Sequence, residues 1–207
     1  MSEIRLRLAK PSDAKEIANL HWLVRDRYTQ GVFLTLGKRF LTEVYKILLN
    51  DAWEVVVCAV DEDDKIIGFM SNSLNIRHQF KEMKRHRIRL AFCALGGIIS
   101  KPSLIKGLIQ RYKSLDNRKD SPKFVNTEGV RGDYWCWKKG DDSLKSIELR
   151  KANGEILRAL GVNEILFEVD KSNSKVYKFH LKVNKAEPVE EIVLPDGRVR
   201  VLLKQKI

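Results

Sequence analysis

Cysteine is scarce in this chain: Cys58, Cys93 and Cys136 are the only three among 207 residues. They stand far apart in apolar or aromatic surroundings, and no pair has the spacing of a metal site. An odd number in a chain this long argues against a disulfide framework, so the expected setting is a reducing cytoplasm. Long apolar runs are missing too. The longest, Leu90 to Ile99, falls well short of the ~20 residues that cross a bilayer. The opening MSEIRLRLAK has no apolar stretch of the kind a secretory leader needs.

Acid is nearly lacking from one region. Between Arg77 and Lys119 twelve lysines and arginines face only Glu82 and Asp116, so this segment carries most of a formal net charge of +12. Such a concentration is either a solvated face or a surface for an anionic partner. Nucleic acid is disfavoured as that partner, because aromatics are not interleaved with the basic residues as stacking platforms would be.

What is present is a regular alternation of strand and helix patterns. Ile4, Leu6 and Leu8 alternate with polar neighbours and predict a half-buried strand. Pro11-Ser12-Asp13 predicts a helix start, with a capping hydroxyl and a first-turn carboxylate. Ile17, Leu20 and Val24 form the inner face of that helix. Phe40, Leu41, Val44, Tyr45, Ile47 and Leu48 make a 3.6-residue stripe for a second helix. Trp53 to Val60 and Lys65 to Ser73, joined by Asp61-Glu62-Asp63-Asp64, read as an antiparallel hairpin. The basic segment predicts two helices broken near Gly96-Gly97 and Lys101-Pro102, followed by a long polar loop over 116–132.

Tyr134 to Lys138 is a short aromatic strand. Asp141-Asp142-Ser143 should cap a long helix with Leu149, Ala152, Ile156 and Leu160 inward, ended by Gly161. Glu164 to Val169 is a strand and Asn173 to Val183 a helix. Two further strands flank Pro195-Asp196-Gly197, a turn signal. The whole predicts one α/β domain over 1–207, with 78–131 as a helical insertion and loop after the third strand. Its sheet should be mixed, mostly antiparallel, and flanked by helices.

The order of these elements, with the segments LTLGKRFLTEVYKILL, KIIGFM and LRALGVNEILFEVDKSNSKVYKFHLKVN, resembles the GNAT acyltransferase family. The likeness extends to GNAT-like proteins of bacterial polysaccharide and sugar-modification clusters. It implies acetyl-CoA, or another acyl-CoA, as cofactor and acyl transfer to an amine as the reaction. It also implies a groove between the fourth and fifth strands and a pyrophosphate at the next helix N-terminus, where orphan amides and the helix dipole favour an anion. The candidate cofactor-binding residues are Trp135, Cys136, Trp137, Lys138, Lys139, Ser143, Lys145, Ser146 and Asn173.

The family's phosphate loop is glycine-rich, and this chain has Asp141, Leu144 and Ser146 at the corresponding positions. Leu144 would restrict close approach and the aspartates would repel phosphate, while neighbouring lysines and serine hydroxyls could compensate. Asp142 and Ser143 could equally be a plain helix cap. The family's thiolate-protonating tyrosine falls at His180, with Tyr177 one turn earlier on the same side; either could be catalytic, and His180 could instead be structural. Trp135 and Trp137 could line a cleft or simply fill a core.

The loop from Tyr28 to Leu36, including Phe33, and the start of the insertion at Arg77-His78 would form the acceptor pocket. Basic lining suits a small anionic acceptor, such as a nucleotide- or lipid-linked amino sugar. The stretch 85–108 is amphipathic enough for peripheral contact with a membrane surface. The competing reading is a non-catalytic GNAT-like ligand- or partner-binding protein.

Overall fold

The computed structural model describes residues 4–27, 35–100, 102–103, 105, 109, 128–138, 140, 144–194 and 197–207. Seven strands form one sheet: β1 (Arg5–Leu8), β2 (Glu54–Val60), β3 (Ile66–Ser73), β4 (Arg131–Trp137), β5 (Glu164–Asp170), β6 (Glu187–Val193) and β7 (Val199–Lys206). The spatial order is β1-β2-β3-β4-β5-β7-β6, and every neighbour pair is antiparallel except β4 with β5. Six α-helices are described: α1 (Ala14–Leu23), α2 (Lys38–Leu48), α3 (Ile76–Arg85), α4 (Arg87–Ser100), α5 (Lys145–Ala159) and α6 (Ser174–Lys182). The mixed, mostly antiparallel sheet and the basic helical pair after the third strand are as the patterns predict.

The sheet carries a core on each face. On one, the buried stripes of α1 and α2 pack with α4 against Cys58, Phe69 and Cys136. On the other, Leu149 and Leu157 of α5 pack against Val57, Phe167, Val201 and Leu203. Alternation along each strand sends successive residues to opposite cores, which is why a two-sided sheet reads as nearly continuous hydrophobic runs in β2 and β3. The α2 stripe of Phe40, Leu41, Val44, Tyr45, Ile47 and Leu48 is buried throughout.

Several local expectations are corrected. Leu6 and Leu8 are exposed. They share the face of their partners Ala59 and Val57, which is the α5 side; α5 reaches β2 and β3, leaving the edge strand bare on that side. Inward contact is made instead by Arg7, which donates to Asp13 at 2.6 Å. The turn at Pro11–Asp13 is 3-10, and the Asp13 carboxylate rather than the Ser12 hydroxyl takes the Lys10 amide, at 2.7 Å. In the insertion the break falls at His86, and α4 runs unbroken through Gly96-Gly97. Gly97 is there for contact: a Cβ on it would lie 2.7 Å from the Leu36 carbonyl oxygen. Strand β4 starts three residues earlier than the aromatic run suggests.

Helix α5 begins at Lys145 with Leu144 at its N-cap, so the proposed cap residues 141–143 lie outside the described residues. Its inner face is Ser146, Leu149, Asn153 and Leu157, while Leu160 is exposed. Asn153 was invisible to a hydrophobic pattern, yet it is buried because its amide oxygen accepts from Asn72 at 2.6 Å. Gly161, at φ +80°, ends the helix as expected: its amide reaches Arg158 and the Val162 amide reaches Leu157, the paired bonds of a Schellman end.

Candidate active site

The parallel pair β4 and β5 is joined at one register position, Arg131 with Leu166, beside a bond from the Leu166 amide to the Val130 carbonyl at 2.9 Å. Beyond it the strands follow other partners. β4 stays on β3 as far as Trp137 with Gly68, and β5 stays on β7 as far as Asp170 with Arg200. Two backbone edges therefore part into a fork. At its vertex β4 carries a bulge: Tyr134 faces Ser71 and Gly132 faces Asn72, leaving Asp133 as the extra residue.

One face of the fork is aromatic. Trp137 is buried with its six-membered ring where a Gly68 Cβ would stand, 2.3 Å from the Trp137 Cε3, so the glycine of KIIGFM is the space that admits this ring. The Trp137 indole N–H is buried and meets no acceptor among the described residues. Trp135 lies on the same face, and α6 reaches across the parting strands to it. Ring centroids of Trp135 and Phe179 are 5.7 Å apart, Trp135 and His180 6.3 Å, and Phe167 and His180 4.5 Å. His180 is buried and bonded to the Asn184 amide at 2.9 Å. Burial, and then the charge of Arg150, lowers its pKa to about 4, so at neutral pH it is an uncharged ring.

Tyr177 is half-buried one turn before His180 and packs against the same core. Asn173 is the exposed N-cap of α6, with no side-chain cap bond. Cys136 turns the other way, into the core beneath α1 and α2, so only its backbone belongs to the slot. Lys138 is exposed at the end of β4, with its amide bonded to Ile67. Lys145 is half-buried and Ser146 buried in the first turn of α5. Lys139 and Ser143, like Phe33, lie outside the described residues.

The opposite face of the fork is charged. The Gln79 side-chain amide, projecting from α3, donates to Glu54 at 3.1 Å and to Asp133 at 2.8 Å. Arg131 pairs with Asp133 at 3.2 Å and reaches Glu168 at 4.0 Å; Arg200 reaches Glu168 at 3.4 Å. Asp170 and Arg198, 3.5 Å apart, extend the row along β5 and the start of β7. Burial, and then the Asp133 charge, pushes the Glu54 carboxyl up to about 9, so it holds its proton at neutral pH. Burial also raises Asp133, against the pull of Arg131 and the Gln79 bond. The sequence reading missed this cluster. Its signal was there: Glu168 interrupts the apolar run of ILFEVD, where a lone charge in a buried strand needs a partner.

Arg77 and His78 are placed elsewhere. Arg77 pairs with Glu128 at 2.5 Å, and His78 sits against Asp51 at 3.0 Å and beside Trp53. Two grooves, of about 680 and 480 Å³, run along α2 and the insertion helices rather than into the fork. On the aromatic face of the fork, the Trp135 ring meets Phe179 and His180 of α6.

No family model matches the sequence, and no curated protein matches it either. Solved structures do. A GNAT-family acetyltransferase candidate from Desulfovibrio desulfuricans superimposes with a TM-score of 0.59 at 12% identity, over 99% of both chains. The fold is the GNAT fold. An acetyltransferase candidate from Acinetobacter baylyi gives 0.59 at 13% identity, covering 100% of this chain and 93% of its own. Arabidopsis thaliana NAA60, solved in complex with acetyl-CoA, gives 0.56 at 15% identity over 99% of both chains. The parting of β4 and β5 is the splay of the fourth and fifth strands that the family resemblance implies.

Proposed function

We propose that the protein is an acyl-CoA-dependent acyltransferase that acts on an amine of a small polar acceptor, with a nucleotide- or lipid-linked amino sugar as the finer reading. The observation that carries this is the fork: β4 and β5 pair at Arg131 with Leu166 and then diverge, β4 following β3 and β5 following β7, so two strand edges face each other across a widening gap. An extended amide-bearing chain such as pantetheine matches such an edge. The buried Trp137 indole N–H, lacking an acceptor among the described residues, supplies one further donor on the same strand. Acetyl-CoA held there would supply an activated acyl thioester.

The chain's own residues would then divide the proton work. Asp133, at the vertex and raised by burial, accepts a proton from the acceptor amine; a carboxylate shifted toward neutrality is a better base at pH 7 than an ordinary one. Tyr177 Oη holds the proton for the departing sulfur. His180, uncharged and enclosed by Phe167, Trp135 and Phe179, orients α6 over the slot, so its role is positioning.

A specific observation favours a second reading, a non-catalytic ligand-binding protein: the contacts from Trp135 to Phe179 and His180 bridge the strands that would have to admit the thioester. Calorimetric titration with acetyl-CoA separates the two. Saturable binding, with free thiol released in the presence of amino-sugar acceptors, supports the enzyme. Tyr177→Phe should then lower kcat about a hundredfold without changing the melting temperature. Binding seen only after Trp135→Ala would establish that the aromatic bridge seals the native slot, and the non-catalytic reading would stand.

A further inference from the structure

Helix α4 is apolar on two opposite sides. Leu90 and Ala94 are buried against the core, with Cys93, Ile98 and Gly97 beside them. On the far side Ile88, Phe92, Leu95 and Ile99 are 68%, 64%, 47% and 76% exposed. Their spacing of four, three and four places all four within about 60° of arc on a helix with 3.6 residues per turn. A single exposed leucine is ordinary, but four large apolar side chains in one line are a surface. Ile88 and Phe92 also form a wall of the 680 Å³ groove, whose other walls carry Lys15, Arg39, Lys46, Arg85 and Arg89 against one carboxylate, Glu43. That carboxylate is already engaged by Arg89 at 2.5 Å.

We infer that this side of the protein docks on an anionic phospholipid surface, with the α4 stripe in the acyl-chain boundary and lipid phosphates in the adjoining cationic groove. The occupant must be apolar and anionic together, because Ile88 and Phe92 belong to both features. A nucleic acid supplies phosphates but no apolar counterpart for four such side chains. A second copy would bring two cation-rich grooves side by side, and α3 and α4 offer only Glu82, already beside Arg85 and His86. An anionic leaflet meets both demands, and basic residues next to a shallowly inserted apolar helix face are a known basis of peripheral attachment. No described helix is long and apolar enough to cross a membrane, so contact would be lateral. This inference stands independently of the enzymatic reading.

The test is co-sedimentation of the full chain with vesicles of phosphatidylcholine alone and of phosphatidylcholine with phosphatidylglycerol. Binding is expected only to the anionic vesicles and should weaken as salt rises. Phe92→Asn should reduce it about tenfold or more, and Arg39→Gln with Arg85→Gln several-fold, at an unchanged melting temperature. At matched ionic strength, inorganic phosphate should release no more of the bound protein than chloride does, since it lacks the acyl surface. The inference is overturned if neither vesicle binds at low salt, or if Phe92→Asn binds as well as the parent chain. It is equally overturned if phosphate displaces the protein more than chloride does at the same ionic strength, or if light scattering shows a dimer that Phe92→Asn makes monomeric. Acetyl-CoA titration of Phe92→Asn, whose side chain is exposed on α4 and lines the cationic groove, keeps the result separate from the fate of the slot.

Discussion

At the fork, Arg131 and Arg200 share the buried carboxylate of Glu168, and Arg131 also pairs with Asp133. In the groove along α2 and the insertion helices, five cationic side chains drawn from α1, α2, α3 and α4 face the single carboxylate of Glu43. The contrast follows from solvent. A guanidinium taken out of water costs several kcal/mol unless a carboxylate meets it, so Arg131 and Arg200 arrive with acids. An exposed lysine keeps its hydration and needs no partner. Net charge in a sequence is therefore a poor guide to a site until partners are subtracted; the basic residues left over mark a different surface from the one that would do chemistry.

The sharpest way to break this comparison is to remove one buried partner. Arg131→Met should destabilise the protein by about 3–5 kcal/mol, because Asp133 would keep its burial and lose its cation, while Glu168 would keep only Arg200. Urea denaturation at pH 7 measures it; a loss below about 1 kcal/mol would mean the fork is wetter than its burial indicates.

Buried titratable groups give the next effect. His180 and His21 have folded pKa values lowered by burial to about 4 and about 3, so the unfolded chain binds protons first as pH falls. Stability should drop between about pH 6.5 and pH 4, by roughly 3 kcal/mol for His180 alone, and His180→Gln should flatten that limb in a pH series of melts. Glu54 runs the opposite way: its pKa is raised to about 9, so stability should decline as pH climbs from about 4.5 toward 9. Glu54→Gln should remove that decline. The smallest effect belongs to the groove, where Lys15→Gln and Arg39→Gln should each change stability by no more than about 0.5 kcal/mol.

Much of this fold was legible in the residues. The α2 stripe, the β2–β3 hairpin, the glycine end of α5 and the order of strands and helices all express local periodicity or local capping, which neighbours in sequence decide. The site was legible only in part. Trp135, Tyr177 and His180 are brought to one face of the fork, but Cys136 points to the opposite core. Arg77 and His78 are held by Glu128 and Asp51. The Glu54–Gln79–Asp133–Arg131–Glu168 cluster escaped notice because its members come from four strands and helices separated by up to 114 positions, and no periodicity links them.

By itself the sequence determined which stretches become strand or helix and where the chain turns, since those choices rest on side-chain period, caps and turn residues within a few positions. Only the tertiary structure decided that β4 and β5 part after one pairing, which charges lose their water and must be matched, and that α4 keeps a second apolar face uncovered. Those outcomes depend on which distant segments share a layer, and burial is a property of the layer.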